Sequence, residues 1–122
     1  MDAWVAFFEK QGIPVVRAPA IRIIGNNSNV IGYPDILIHE PGHPIEVWEV
    51  KTGDDPPLTD NQRAYLPMLQ IGGHVYSVDP SIQKLGIEPG VPFPPVDVYI
   101  IFAPAPLQEY QILKLPPPTI VP

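Results

Sequence analysis

Asp35 and the triplet Glu49-Val50-Lys51 are the residues of this chain whose types and spacing could do chemistry. Asp35 opens the apolar run Asp35-Ile-Leu-Ile-His39, and the triplet ends a second run, Ile45-Glu-Val-Trp-Glu-Val-Lys51. Both are short and rich in β-branched residues, and Glu40-Pro-Gly-His-Pro44 between them carries turn chemistry, which predicts a hairpin. Strand side chains alternate faces, so Glu49 and Lys51 share one face while Val50 points to the other. Pairing across the hairpin can bring Asp35 beside them. Two carboxylates and an ammonium then converge. Carboxylate oxygens suit Mg²⁺ or Mn²⁺, which keep several waters. Such an ion polarises a phosphoryl oxygen and acidifies its water, and a lysine beside it orients that water or stabilises developing charge.

Pro34-Asp35 followed by Glu49-Val50-Lys51 resembles the PD-(D/E)xK nuclease superfamily. Gly32-Tyr-Pro-Asp35, the triplet, Gln62 and the turn Gly72-Gly-His-Val75 are similar to its VRR-NUC branch and to related nuclease domains at the C-termini of bacterial polymorphic toxins. The similarity runs from Gly32 to Val78. It implies an α/β fold of the restriction-endonuclease-like kind, a mixed central sheet flanked by helices. It also implies Mg²⁺ or Mn²⁺ held by Asp35, Glu49 and the Val50 carbonyl, with Lys51 assisting attack. Gln62 would stand at the rim of the catalytic group, and Glu9, on an N-terminal helix, would be an accessory acid. Tyr33 and Arg63 are the expected nucleic-acid contacts. The implied substrate is DNA, with RNA as the alternative, cut in the cytoplasm of a cell into which a secreted toxin delivers the domain. An immunity protein or a larger toxin chain would be its partner.

A second reading of the same residues stays open. A Glu-x-Lys pair on an exposed strand face is ordinarily a solvated pair contributing only ~0–1 kcal/mol. Thr59-Asp-Asn-Gln62 has capping-box spacing, which gives the Gln62 amide a purely structural use. The competing function is a catalytically idle nuclease-fold binding module acting through an acidic surface.

The elements that must position these residues are legible in outline. Asp2 can cap a helix running to about Gln11, with Trp4, Phe7 and Phe8 as its apolar stripe and Gly12 at its end. Residues 13–24 read as one or two strands interrupted by Pro19, which suggests an edge or bulge. Asn26-Asn-Ser-Asn29 is a turn cluster and residues 52–57 a loop, whose Asp54 and Asp55 more naturally serve turns than a metal. Thr59 opens a helix with Ala64, Tyr65, Met68 and Leu69 as its buried face, Pro67 inside it and Gly72-Gly73 at its end. Residues 74–78 and 96–102 read as strands, Ile82, Leu85 and Ile87 as one helical turn, and residues 107–115 as an edge strand. His39 alternates onto the face of Asp35, yet His39, His43 and His74 are read as structural.

Length and composition set the bounds. The chain of 122 residues, 45% hydrophobic and 16% charged, suits one nuclease-like domain over 1–115 followed by a proline-rich tail, 116–122. Without cysteine it can form neither a disulfide nor a cysteine-ligated zinc site. No apolar run approaches the ~20 residues that span a bilayer, so no membrane partner is expected. The net charge of −6 and scattered lysines and arginines provide no basic stripe for nucleic acid.

Overall fold

In a computed structural model the structure is described for residues 2–24, 30–52, 58–103, 111–116 and 118. Short β-branched runs broken by turn residues give the strands β1 (Val15–Arg17), β2 (Ile21–Ile23), β3 (Val30–Gly32), β4 (Ile36–Ile38), β5 (Glu46–Thr52), β6 (Val75–Tyr76), β7 (Asp97–Ala103) and β8 (Gln111–Lys114). The helices are α1 (Asp2–Lys10) and α2 (Asp60–Ile71), and Pro80–Leu85 forms a 3₁₀ helix. The class is mixed α/β. A five-stranded sheet has the order β1-β4-β5-β7-β8, and a three-stranded sheet the order β3-β2-β6. β5 and β7 run parallel while the other pairs are antiparallel, which makes the larger sheet mixed.

The predicted hairpin is present, with Ile36 opposite Trp48 and Ile38 opposite Glu46. β5 continues beyond β4 and pairs along its whole length with β7, from Glu46 opposite Asp97 to Thr52 opposite Ala103. Parallel strands cannot be joined by a tight turn, and the connection here carries α2, β6 and the 3₁₀ helix. Alternation along β5 directs Val47 into the core formed with Tyr65, Leu66 and Leu69 of α2. Trp48 and Val50 face the other way, toward a second core in which Val5 and Phe8 of α1 pack on Val15, Ile36 and Ile38. Glu49 and Lys51 therefore lie on the α2 face of the sheet, and α1 covers the opposite face.

Residues 13–24 form two strands, one of the two expected alternatives, interrupted at Ala18, whose φ is +42°, and Pro19, with β1 at a sheet edge; the two strands belong to different sheets. Other expectations change. Asp2 lies within the first helix turn, not before it. Val5 takes the inward place assigned to Phe7, which is 49% exposed. Positions 4, 5 and 8 trace one helix face as well as 4, 7 and 8 do, and the sheet selects the former. On α2, Tyr65, Leu66 and Leu69 are buried whereas Ala64 is exposed and Met68 half-buried. That helix meets β3 as well as β7, and this two-sided packing draws Leu66 inward.

α2 begins at the Thr59 cap and runs through Pro67 to Gly72. Gly72 closes it with φ +81° and an N–H donated to the Met68 carbonyl at 3.1 Å. A Cβ there would lie 2.6 Å from the Pro95 nitrogen, so backbone packing as well as conformation requires glycine. The expected strand at 74–78 is only two residues long, paired with β2, and the edge strand expected at 107–115 is described from Gln111. Of the loop expected at 52–57, Thr52 instead ends β5, paired with Ala103; residues 53–57 with Asp54 and Asp55, the turn at 26–29 and most of the proline-rich tail lie outside the described residues. No helix among the described residues is long and apolar enough to cross a membrane.

Candidate active site

Asp35 stands just before β4, held from two sides by backbone. Its carbonyl accepts from Ala18 N–H at 3.1 Å, and its Oδ2 accepts from Val50 N–H at 2.8 Å. In an extended strand a residue's N–H and C=O point to the same side, so the Val50 carbonyl faces the edge of β5 that Asp35 occupies. Glu49, one residue earlier on β5, has no exposed surface. Its two oxygens are taken separately: Oε1 accepts from the Tyr65 hydroxyl and Oε2 from Gln62 Nε2, each at 3.1 Å. Lys51, back on the same face, donates from Nζ to Gln62 Oε1 at 2.5 Å.

Gln62 serves the helix cap and the carboxylate cluster at once. The Thr59 hydroxyl accepts from Gln62 N–H at 3.1 Å, and Gln62 Oε1 accepts from Thr59 N–H at 3.0 Å, which completes a capping box. The same Oε1 receives the Lys51 ammonium while Nε2 reaches Glu49. A carbonyl oxygen has two lone pairs, so the cap and the bridge are compatible.

The electrostatics follow from this crowding. Glu49 is pushed up to about 7 from its ordinary 4.5, first by burial, then by the negative charge of Asp35 and a hydrogen bond with the Asp35 side chain. The Tyr65 hydroxyl and a backbone hydrogen bond from Asp35 pull the other way. Tyr65 is itself raised, chiefly by burial and then by Glu49, so its hydroxyl stays protonated and donating.

Asp35, Glu49, Val50, Lys51 and Gln62 are thus brought together from the hairpin and α2. Glu9 is not. It is exposed on α1, on the far side of the sheet from Glu49, where it lines a cleft with Arg17, Asp79 and Lys84. Tyr33, two residues before Asp35, is 59% exposed. Arg63 is exposed and donates from Nε and Nη2 to the Leu58 carbonyl at 3.3 and 3.2 Å. His39 contacts the Leu85 carbonyl through Nδ1 at 2.7 Å and the His43 carbonyl through Nε2 at 3.1 Å, so it ties the hairpin turn to the 3₁₀ helix rather than supporting Asp35. Tyr65 is the site residue that sequence reasoning placed only among packing residues. Its signal was available, because position 65 lies three residues after Gln62 and hence on the same helix face.

The donor set fits a hard divalent cation. Among the described residues no three His, Cys, Asp or Glu side chains converge, but two carboxylates and a nearby backbone carbonyl are the oxygen ligands such an ion takes alongside water. An ionised carboxylate offers about four acceptor sites, more than the bonds described above consume. Comparison with protein-family models, curated proteins and solved structures finds no match to this chain.

Proposed function

We propose that the chain is a divalent-metal-dependent nuclease that hydrolyses phosphodiester bonds, of DNA in the first instance, on a restriction-endonuclease-like scaffold of the PD-(D/E)xK kind. The observation that carries this reading is the hydrogen-bonded cluster in which Gln62 links the Lys51 ammonium to a buried Glu49 beside Asp35. Asp35, Glu49 and the Val50 carbonyl would hold Mg²⁺ or Mn²⁺, which when bound supplies Lewis acidity toward a phosphoryl oxygen and an acidified water. Lys51 presents a positive charge to the oxygens that gain negative charge during displacement. Gln62 fixes that ammonium relative to Glu49, so the cation and the carboxylate pair keep a constant spacing. Action in the cytoplasm of a target cell, as the nuclease part of a longer toxin with an immunity protein as its inhibitor, belongs to the same proposal.

Incubation of the purified chain with supercoiled plasmid tests it. Nicking is expected with Mg²⁺ or Mn²⁺ and none with EDTA or with Asp35→Ala, while Lys51→Ala should lose ~10²-fold or more. Full activity in EDTA, or in Asp35→Ala, overturns the assignment. The complete burial of Glu49 and the net charge of −6 favour a second reading, an idle binding module. A folded chain that binds no Mn²⁺ and cuts neither DNA nor RNA would establish that alternative.

A further inference from the structure

We propose that Tyr65 is a positioning residue for the Glu49 carboxylate, set in place by Gly32, and that it controls how tightly the Asp35–Glu49 pair holds a divalent cation. The inference rests on reading that pair as a cation site and adds to it a device built from the second sheet.

A glutamate in the middle of a strand has three side-chain torsions, and a buried one has no water to orient its head group. Here two donors, three residues apart on one face of α2, take one carboxylate oxygen each. With both oxygens fixed, the head group can neither swing nor rotate, and its remaining lone pairs keep one relation to Asp35. Gln62 is half-buried and shared among three partners, whereas Tyr65 is almost wholly buried and its hydroxyl has Glu49 as its partner. Tyr65 is therefore the stiffer of the two restraints.

What stiffens it is Gly32. This residue ends β3 in the three-stranded sheet, and a Cβ built on it would overlap the edge of the Tyr65 ring at Cδ1 and Cε1. The ring thus lies directly on the Gly32 backbone, and any larger residue there would drive it, with its hydroxyl, away from Glu49. Gly32 has no left-handed φ, so its glycine is explained by this contact and not by a turn. Close approach of a ring to a glycine backbone couples the smaller sheet to a carboxylate of the larger one.

Mn²⁺ binding by the full chain, followed by electron paramagnetic resonance of the free ion at a temperature where every variant is folded, provides the test. Tyr65→Phe keeps the ring and should retain the fold while weakening Mn²⁺ affinity 10–100-fold, the range found when a group supporting a metal ligand is removed. Gly32→Ala keeps the hydroxyl but displaces the ring, so it should weaken affinity similarly. Added to Tyr65→Phe it should then change affinity less than twofold, since both act through one bond. If Gly32→Ala does not fold, Tyr65→Phe alone decides. Wild-type binding no stronger than that of Asp35→Ala removes the cation site and this inference with it. Wild-type binding that Asp35→Ala loses and Tyr65→Phe keeps within twofold overturns the role of Tyr65 and leaves the cation site standing.

Discussion

Burial of Glu49 beside Asp35 works against the fold at neutral pH. A carboxylate raised from 4.5 to about 7 holds a proton in the native state that the unfolded chain has already lost. Between those two values the native state binds more protons than the unfolded one, so stability falls as pH rises, and the loss is complete above about 7. At ~1.4 kcal/mol per pH unit the burden reaches about 3 kcal/mol, and it belongs to the coupled Asp35–Glu49 pair rather than to one residue. Glu49→Gln keeps the shape and removes the charge. In urea denaturation it should be more stable than wild type at pH 8, by less or not at all at pH 4, and Mg²⁺ or Mn²⁺ should stabilise wild type at pH 8 but not the variant. A wild-type pH dependence that survives in Glu49→Gln would show that the native pair is fully ionised throughout. The meeting of Asp35, Glu49 and Lys51 was legible because strand alternation and hairpin pairing are local rules, whereas for Gln62 local spacing pointed only to the cap and its place beside Glu49 came from the family resemblance. Glu9 could not be placed, because the face of the sheet that α1 covers depends on how distant strands pair.

At the scale of elements, the strand β5 and the first turn of α2 act as one unit joined through Gln62. The hairpin was legible, since two apolar runs flank a turn with proline and glycine. So was the α2 start, where Thr59 and Gln62 stand at the spacing that closes a capping box. The split of residues 13–24 between two sheets was not, because β1 and β2 find their partners far along the chain, at β4 and at β3 and β6. Which α2 residues point inward was only half legible for the same reason. The shared role of Gln62 separates two variants. Thr59→Ala removes the acceptor for Gln62 N–H and should cost about 1 kcal/mol in thermal or urea unfolding, the usual value for a lost cap. Nicking should change little, because Lys51 and Glu49 still hold the Gln62 amide. Gln62→Ala should cost more, since it leaves an oxygen of buried Glu49 without its donor, and it should reduce nicking at least tenfold. Equal effects of the two substitutions on nicking would mean that the amide serves the cap alone.

At the scale of the whole molecule, charge decides how such a site could meet its substrate. The chain has only seven lysines and arginines against thirteen acids. Of the cations, Lys51 is bound to Gln62, Lys114 pairs with Asp97 at 3.6 Å, and Arg63 is turned onto the Leu58 carbonyl. A protein that neutralises few phosphates releases few counterions, so its affinity for duplex DNA should be low and only shallowly dependent on salt, with a slope of about one to two in log K against log[salt]. On the proposed reading the carboxylate pair would repel the phosphate backbone until a cation is bound, so DNA binding would depend on metal. On the same reading the nuclease would depend on tethering, which raises local substrate concentration without any new contact by factors of ~10²–10⁴. Fusion of the chain through a flexible linker to a sequence-independent DNA-binding domain should therefore raise plasmid nicking at least a hundredfold at limiting protein, with no nicking when the fused chain carries Glu49→Ala. Expression of the same fusion in bacteria should arrest growth with fragmented chromosomal DNA, and the Glu49→Ala fusion should be tolerated. A fusion that binds plasmid tightly in Mg²⁺ or Mn²⁺ yet leaves it intact would show that access to DNA is not what limits the site, and would move the acidic surface from obstacle to function.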